Sequence, residues 1–72
     1  MREKLRIALD CMGGDFGASV VLTGAELALK PVPNLEFRAF GDRAALEPLV
    51  LRRRGLRRLT QIVHSEITIR MD

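Results

Sequence analysis

The chain has no Trp and no Tyr, one Cys and one His, and each shortage closes a class of function. One Cys cannot build a disulfide framework or a Cys-rich zinc site. One His leaves little scope for a His-based metal centre. Three scattered Phe residues, with no other aromatics, give nucleic-acid bases no platform to stack on. No apolar run approaches the roughly 20 residues needed to span a bilayer. The opening Met1-Arg2-Glu3-Lys4 leads into a strand-like run, with no signal-peptide apolar region or cleavage site. The expectation is a cytoplasmic chain that holds no metal.

What remains is ordinary globular material. Hydrophobic residues make up 47% and charged residues 29%, which separates the chain from disordered ones. Its 72 residues admit one small domain, and a chain of that size buries only about 60% of its unfolded surface. The formal net charge is +3, and ten of the twelve basic residues are Arg. Five of them fall in Arg52-Arg53-Arg54-Gly55-Leu56-Arg57-Arg58. Such a cluster can mark a nucleic-acid patch. The plainer reading is a solvated helix end, where cations complement the negative dipole and Gly55 takes the C′ position.

Along the chain, strand and helix patterns alternate. Leu5 to Leu9 alternates apolar with small or basic residues and reads as a strand ending near Asp10. Cys11 to Ala18 carries three glycines and reads as a loop, with Ser19 as N-cap of a helix that ends at Lys30 before Pro31 and Pro33. That helix is apolar almost all the way round and expects cover on more than one side. Leu35 to Phe40 alternates cleanly as a second strand, closed by Gly41. Asp42 suits the cap of a second helix carrying Leu46, Leu49 and Val50, in which Pro48 predicts either a kink or a late start. Leu59 to His64 reads as a third strand, and no internal boundary, repeat or linker interrupts residues 1–72.

The order βαβαβ, with crossovers too long for hairpins, predicts an α/β fold with a parallel sheet. Parallel sheets are covered on both faces, and two helices with three strands cannot do that alone. The 72 residues therefore read as the opening half-unit of something larger. On its own the portion is expected to fold poorly or self-associate, and to be inactive.

Chemistry is expected in the first loop, Asp10-Cys11-Met12-Gly13-Gly14-Asp15-Phe16-Gly17. Ligands of open α/β sheets bind beyond the carboxyl ends of the strands, where this loop lies. Gly13, Gly14 and Gly17 allow close backbone approach, and amides at a helix start can hold a phosphate. The spacing G-G-x-x-G is neither the dinucleotide fingerprint nor the P-loop, so a turn that only needs small residues fits it equally well. Asp10 and Asp15 would repel a dianion unless compensated. They could instead act as a general base, orient amides, hold a metal with ligands from elsewhere, or simply serve locally, Asp10 accepting loop N–H groups and Asp15 capping the helix. Cys11 reads as a buried small apolar residue rather than a nucleophile. His64 falls at the ligand edge of the third strand and, alone, is more often structural than catalytic.

These residues resemble a family. Ile7 to Gly17, Gly41-Asp42, Ile62-Val63-His64-Ser65 and the segment with Ile67, Met71 and Asp72 are similar, in order, to the start of the bacterial phosphate acyltransferases of phospholipid synthesis. The resemblance implies a Rossmann-like, isocitrate/isopropylmalate dehydrogenase-like three-layer fold. It implies transfer of an acyl group from acyl carrier protein to inorganic phosphate, with no nucleotide or flavin cofactor. It further implies a homodimer, and peripheral membrane association through regions outside this chain. The site residues carried over are Asp10, Asp15 and His64 for catalysis, and Gly13, Gly14, Gly17 and Asp72 for binding phosphate. Other readings are an α/β domain that binds a phosphorylated ligand without this catalysis, and a nucleic-acid module built on the Arg cluster.

Overall fold

The computed structural model describes residues 3–65, so Ile67, Met71 and Asp72 lie outside the described residues. The element order is β1 (Leu5–Asp10), α1 (Gly14–Ala28), β2 (Leu35–Gly41), α2 (Arg43–Leu51), α3 (Arg54–Arg57) and β3 (Thr60–His64). The strands form one parallel sheet in the order β1-β2-β3. The α/β reading and the three strands stand.

The sheet order has a geometric consequence. Both crossovers step in the same direction across the sheet, so right-handed connections put α1 and α2 on the same face. Register confirms which face that is. Leu5, Ile7 and Leu9 align with Leu35, Phe37 and Ala39, and Thr60 and Ile62 align with Phe37 and Ala39. Leu35, Phe37 and Ala39 are buried beneath Ala18, Leu22 and Ala25 of α1 and Leu46, Val50 and Leu56 of α2 and α3. The opposite face carries Arg6, Ala8, Glu36, Arg38, Phe40, Gln61 and Val63, and none of the described helices covers it. Two layers of a three-layer arrangement are therefore present.

Local structure departs from the sequence expectation at three places. α1 starts at Gly14, five residues before Ser19, so the loop shrinks to Cys11–Gly13. Ser19 lies inside the helix, where its hydroxyl accepts a long hydrogen bond from Arg53 Nη2 at 3.4 Å and its carbonyl accepts from Thr23 at 2.8 Å. Gly14 begins the helix with φ of 78°, a left-handed value that side chains disfavour. The helix ends at Ala28 rather than Lys30. The basic segment is the second departure: Gly55 sits within the short helix α3 rather than at a C′ position. Third, α2 runs unbroken through Pro48, at the loss of one intrahelical donor. Asp42 caps α2 as expected, its Oδ1 accepting the Ala44 N–H at 3.2 Å.

Candidate functional site

The carboxyl ends of the three strands bring together the β1–α1 loop, the start of α2 and the end of β3. Parallel α/β geometry dictates this, because each helix must return to the amino end and so begins at the carboxyl end. The loop rests directly on β2: the Cys11 N–H donates to the Phe40 carbonyl at 2.9 Å. An ideal Cβ on Gly41 would lie 2.8 Å from the Cys11 carbonyl oxygen and 3.0 Å from Leu46 Cδ1. Only glycine at 41 lets the loop lie that low.

Asp10 ends β1 and shapes the loop. Its Oδ1 accepts the Met12 N–H at 3.1 Å, a local turn that tethers the first residues of the loop. Gly13 then serves as N-cap of α1 without any side-chain hydrogen bond to the first turn. The leading amides of α1, at Gly14, Asp15 and Phe16, are thus left without a side-chain cap, and the positive end of a 15-residue helix faces the loop. Asp15 is the second residue of α1 and Gly17 the fourth. Beside this helix start, Cys11, Met12, Gly14, Ala18, Asp42, Ala45 and Leu46 line a cavity of about 230 Å³. Cys11 is buried and free. Burial, with a smaller contribution from the Asp10 carboxylate, pushes its thiol above the usual value, which makes it a packing residue rather than a nucleophile.

His64 stands at the end of β3, as the sequence suggested. Its Nδ1 accepts the Arg43 N–H at 3.2 Å, so that nitrogen carries no proton and the imidazole ties the start of α2 to β3. Asp42 Oδ1 is 4.0 Å from the same Nδ1, a distance that would matter only for a protonated ring. Register places Asp10 in line with Phe40 and Val63 and His64 in line with Gly41, so the two alternate to opposite faces of the sheet. The structure gathers Asp10, Gly13, Gly14, Asp15 and Gly17 around one loop and helix start. His64 lies across β2 from them, beside a second opening of about 530 Å³ with Asp42, Arg43, Ala44 and Glu47. Gly41 escaped the sequence reading as a site residue, because its role depends on a carbonyl 30 positions away.

The Arg cluster lies at the other end of the molecule, where α2 finishes beside the amino ends of the strands. Arg53 turns inward to Glu26 Oε1 at 3.1 Å, while Arg52, Arg54, Arg57 and Arg58 are exposed. Among the described residues there is no cluster of His, Cys, Asp or Glu suited to a metal ion, and no helix long and apolar enough to cross a membrane.

Comparison with known proteins gives the chain relatives. The profile of a family described as "Fatty acid synthesis protein" matches residues 5–72. A protein named phosphate acyltransferase from Rhodopseudomonas palustris is 44% identical over 71 residues, covering 99% of this chain and 20% of the relative. Proteins of the same name from Afipia carboxidovorans and Beijerinckia indica are 43% and 42% identical over the whole chain, which covers 20% and 19% of their lengths. The chain thus spans about one fifth of the relatives it matches, and that fifth is their amino-terminal part. No solved structure matches it.

Proposed function

The chain belongs to the fatty acid synthesis protein family, and from that membership we propose that it forms the amino-terminal wall of a phosphate acyltransferase site. The parent reaction joins inorganic phosphate to the acyl group of an acyl carrier protein thioester, giving an acyl phosphate for phospholipid synthesis. A phosphate oxygen attacks the thioester carbonyl carbon and the C–S bond breaks. The carrier protein leaves as a thiol once its sulfur gains a proton. Phosphate and carrier protein are the partners of this reading. A homodimer in the cytoplasm, touching the membrane through regions outside this chain, completes it.

The observation that carries the reading is the uncapped start of α1 beside a glycine loop, in a chain that matches phosphate acyltransferases end to end. Amides of Gly14, Asp15 and Phe16 supply donors for an anion, either the phosphate or the oxyanion that develops at the carbonyl. Gly13, Gly14 and Gly17 keep Cβ atoms away from it. Asp10 holds the loop in shape through Met12, and Asp15 is the candidate for handling the proton. His64 and Asp72 are secondary candidates from the neighbouring strand end and beyond.

The test joins this chain to the remaining four fifths of the Rhodopseudomonas palustris relative and assays acyl phosphate release. Asp15→Ala in that chimaera should lower the rate at least about a hundredfold, the scale of lost acid–base help. An unchanged rate removes Asp15 from the site, and a folded chimaera that makes no acyl phosphate overturns the reading. The exposed Arg52, Arg54, Arg57 and Arg58 favour one other reading, nucleic-acid binding. Its signature would be micromolar affinity falling steeply with salt, and absence of binding at low salt ends it.

A further inference from the structure

The face of the sheet that the described helices leave bare is not uniform. Phe40 and Val63 lie side by side near the carboxyl ends, whereas the rows before them set Arg6 beside Glu36 and Arg38 beside Gln61. Arg58, at the end of α3 just before β3, joins these four residues around a recess of about 170 Å³. Three arginines from three separate stretches of chain thus border one space. Glu36 is the carboxylate among the described residues lining it, and that carboxylate is already shared. Lys4 Nζ lies 3.5 Å from it and Arg6 Nε 3.6 Å. Among the described residues, no side chain pairs with Arg38 or Arg58. Three arginines against one glutamate leave the recess two positive charges in excess.

We propose that this recess binds a phosphate-sized oxyanion, at the end of the sheet opposite the α1 loop. Gathering like charges without a counter-ion costs free energy, and an anion set among them removes that cost. Arginine is suited to the task, because its planar fork pairs with two oxygens of one phosphate. Arg38 and Arg58 are the pair left to hold the anion, and the Gln61 carboxamide adds N–H donors beside them. The ligand is a small free anion rather than a nucleic-acid strand. Phe37, the aromatic residue bordering the recess, is buried beneath the helices, so no ring is presented to a base. The exposed Arg52, Arg54 and Arg57 lie outside the recess. They raise the positive potential at this end of the molecule and so speed the arrival of an anion without touching it.

The experiment follows thermal unfolding of the chimaera with the remainder of the Rhodopseudomonas palustris relative, in inorganic phosphate and in sodium chloride of equal ionic strength. Matched ionic strength equalises screening, so the difference between the two salts reads binding. Phosphate should raise the melting temperature of the parent chimaera by at least about 2 °C more than that of an Arg38→Gln/Arg58→Gln variant. An Arg52→Gln/Arg54→Gln variant loses the same charge outside the recess and should keep the full rise. Equal rises in all three proteins overturn the proposal, and so does an equal loss in both variants. In chloride, the Arg38→Gln/Arg58→Gln variant should melt no lower than the parent, because neither arginine has a partner to lose among the described residues. A lower value means that a carboxylate from the rest of the chain already fills the recess, and that too overturns the proposal. Phosphate held at the α1 loop adds equally to all three proteins and cancels. The comparison therefore reads this site independently of the acyl-transfer chemistry.

Discussion

The residue that most constrains this molecule carries no side chain. Gly41 ends β2 underneath the Cys11 carbonyl, and the 2.8 Å approach of a Cβ there is closer than packed atoms tolerate. Gly41→Ala must lift the β1–α1 loop or bend β2, and should cost about 1–3 kcal/mol, read as a shift in the urea midpoint. The same substitution at Gly24, where a Cβ would meet nothing within 4 Å in the middle of α1, should be neutral or stabilising by up to about 1 kcal/mol. The contrast separates a glycine required by contact from one that is merely tolerated.

At the scale of elements, α2 holds an internal conflict. Pro48 lies within the helix, where it removes a donor and crowds the carbonyl four residues earlier. The segment stays helical because Asp42 caps it and because Leu46 and Val50, on either side of the proline, are buried. Pro48→Ala should therefore stabilise the fold by about 1–3 kcal/mol, less than the full helix-interior penalty because proline also stiffens the unfolded chain. A higher thermal midpoint would confirm it. This element shows where sequence reasoning succeeds and where it stops. Alternation in Leu35 to Phe40 and the Asp42 signal placed β2 and the start of α2, because both are local. The start of α1 was hidden because glycine composition reads as loop, while tertiary packing of Ala18 and Leu22 extends the helix back to Gly14. The candidate site followed the same division: the placement of Asp10, Gly13 and Gly14 beyond the end of a strand was legible from pattern, whereas the tie of His64 to Arg43 needed the fold.

At the scale of the whole molecule, the Arg53–Glu26 ion pair joins segments distant in sequence on the helix side. Arg53 Nη1 meets Glu26 Oε1 at 3.1 Å, with the Arg side chain only 23% exposed. Its neighbours in the basic run are solvated. Arg53→Ala should cost about 1 kcal/mol, more than an exposed pair is worth, because it also uncovers the seam between α1 and α3. Arg52→Ala should change stability by less than about 0.5 kcal/mol. Equilibrium urea unfolding of both variants reads the difference.

The open edge of β1 also sets a timetable. In a ribosome-made protein of the relatives' length, β1 emerges early and about four fifths of the chain comes later. At about 5–20 residues per second, the remaining four fifths take roughly fifteen seconds to a minute to appear. Throughout that interval a nascent chain displays Leu5, Ile7, Phe16 and Val20 beside unpaired backbone. A strand made this early, with its apolar residues uncovered, is the stretch on which a holding chaperone would have most to do.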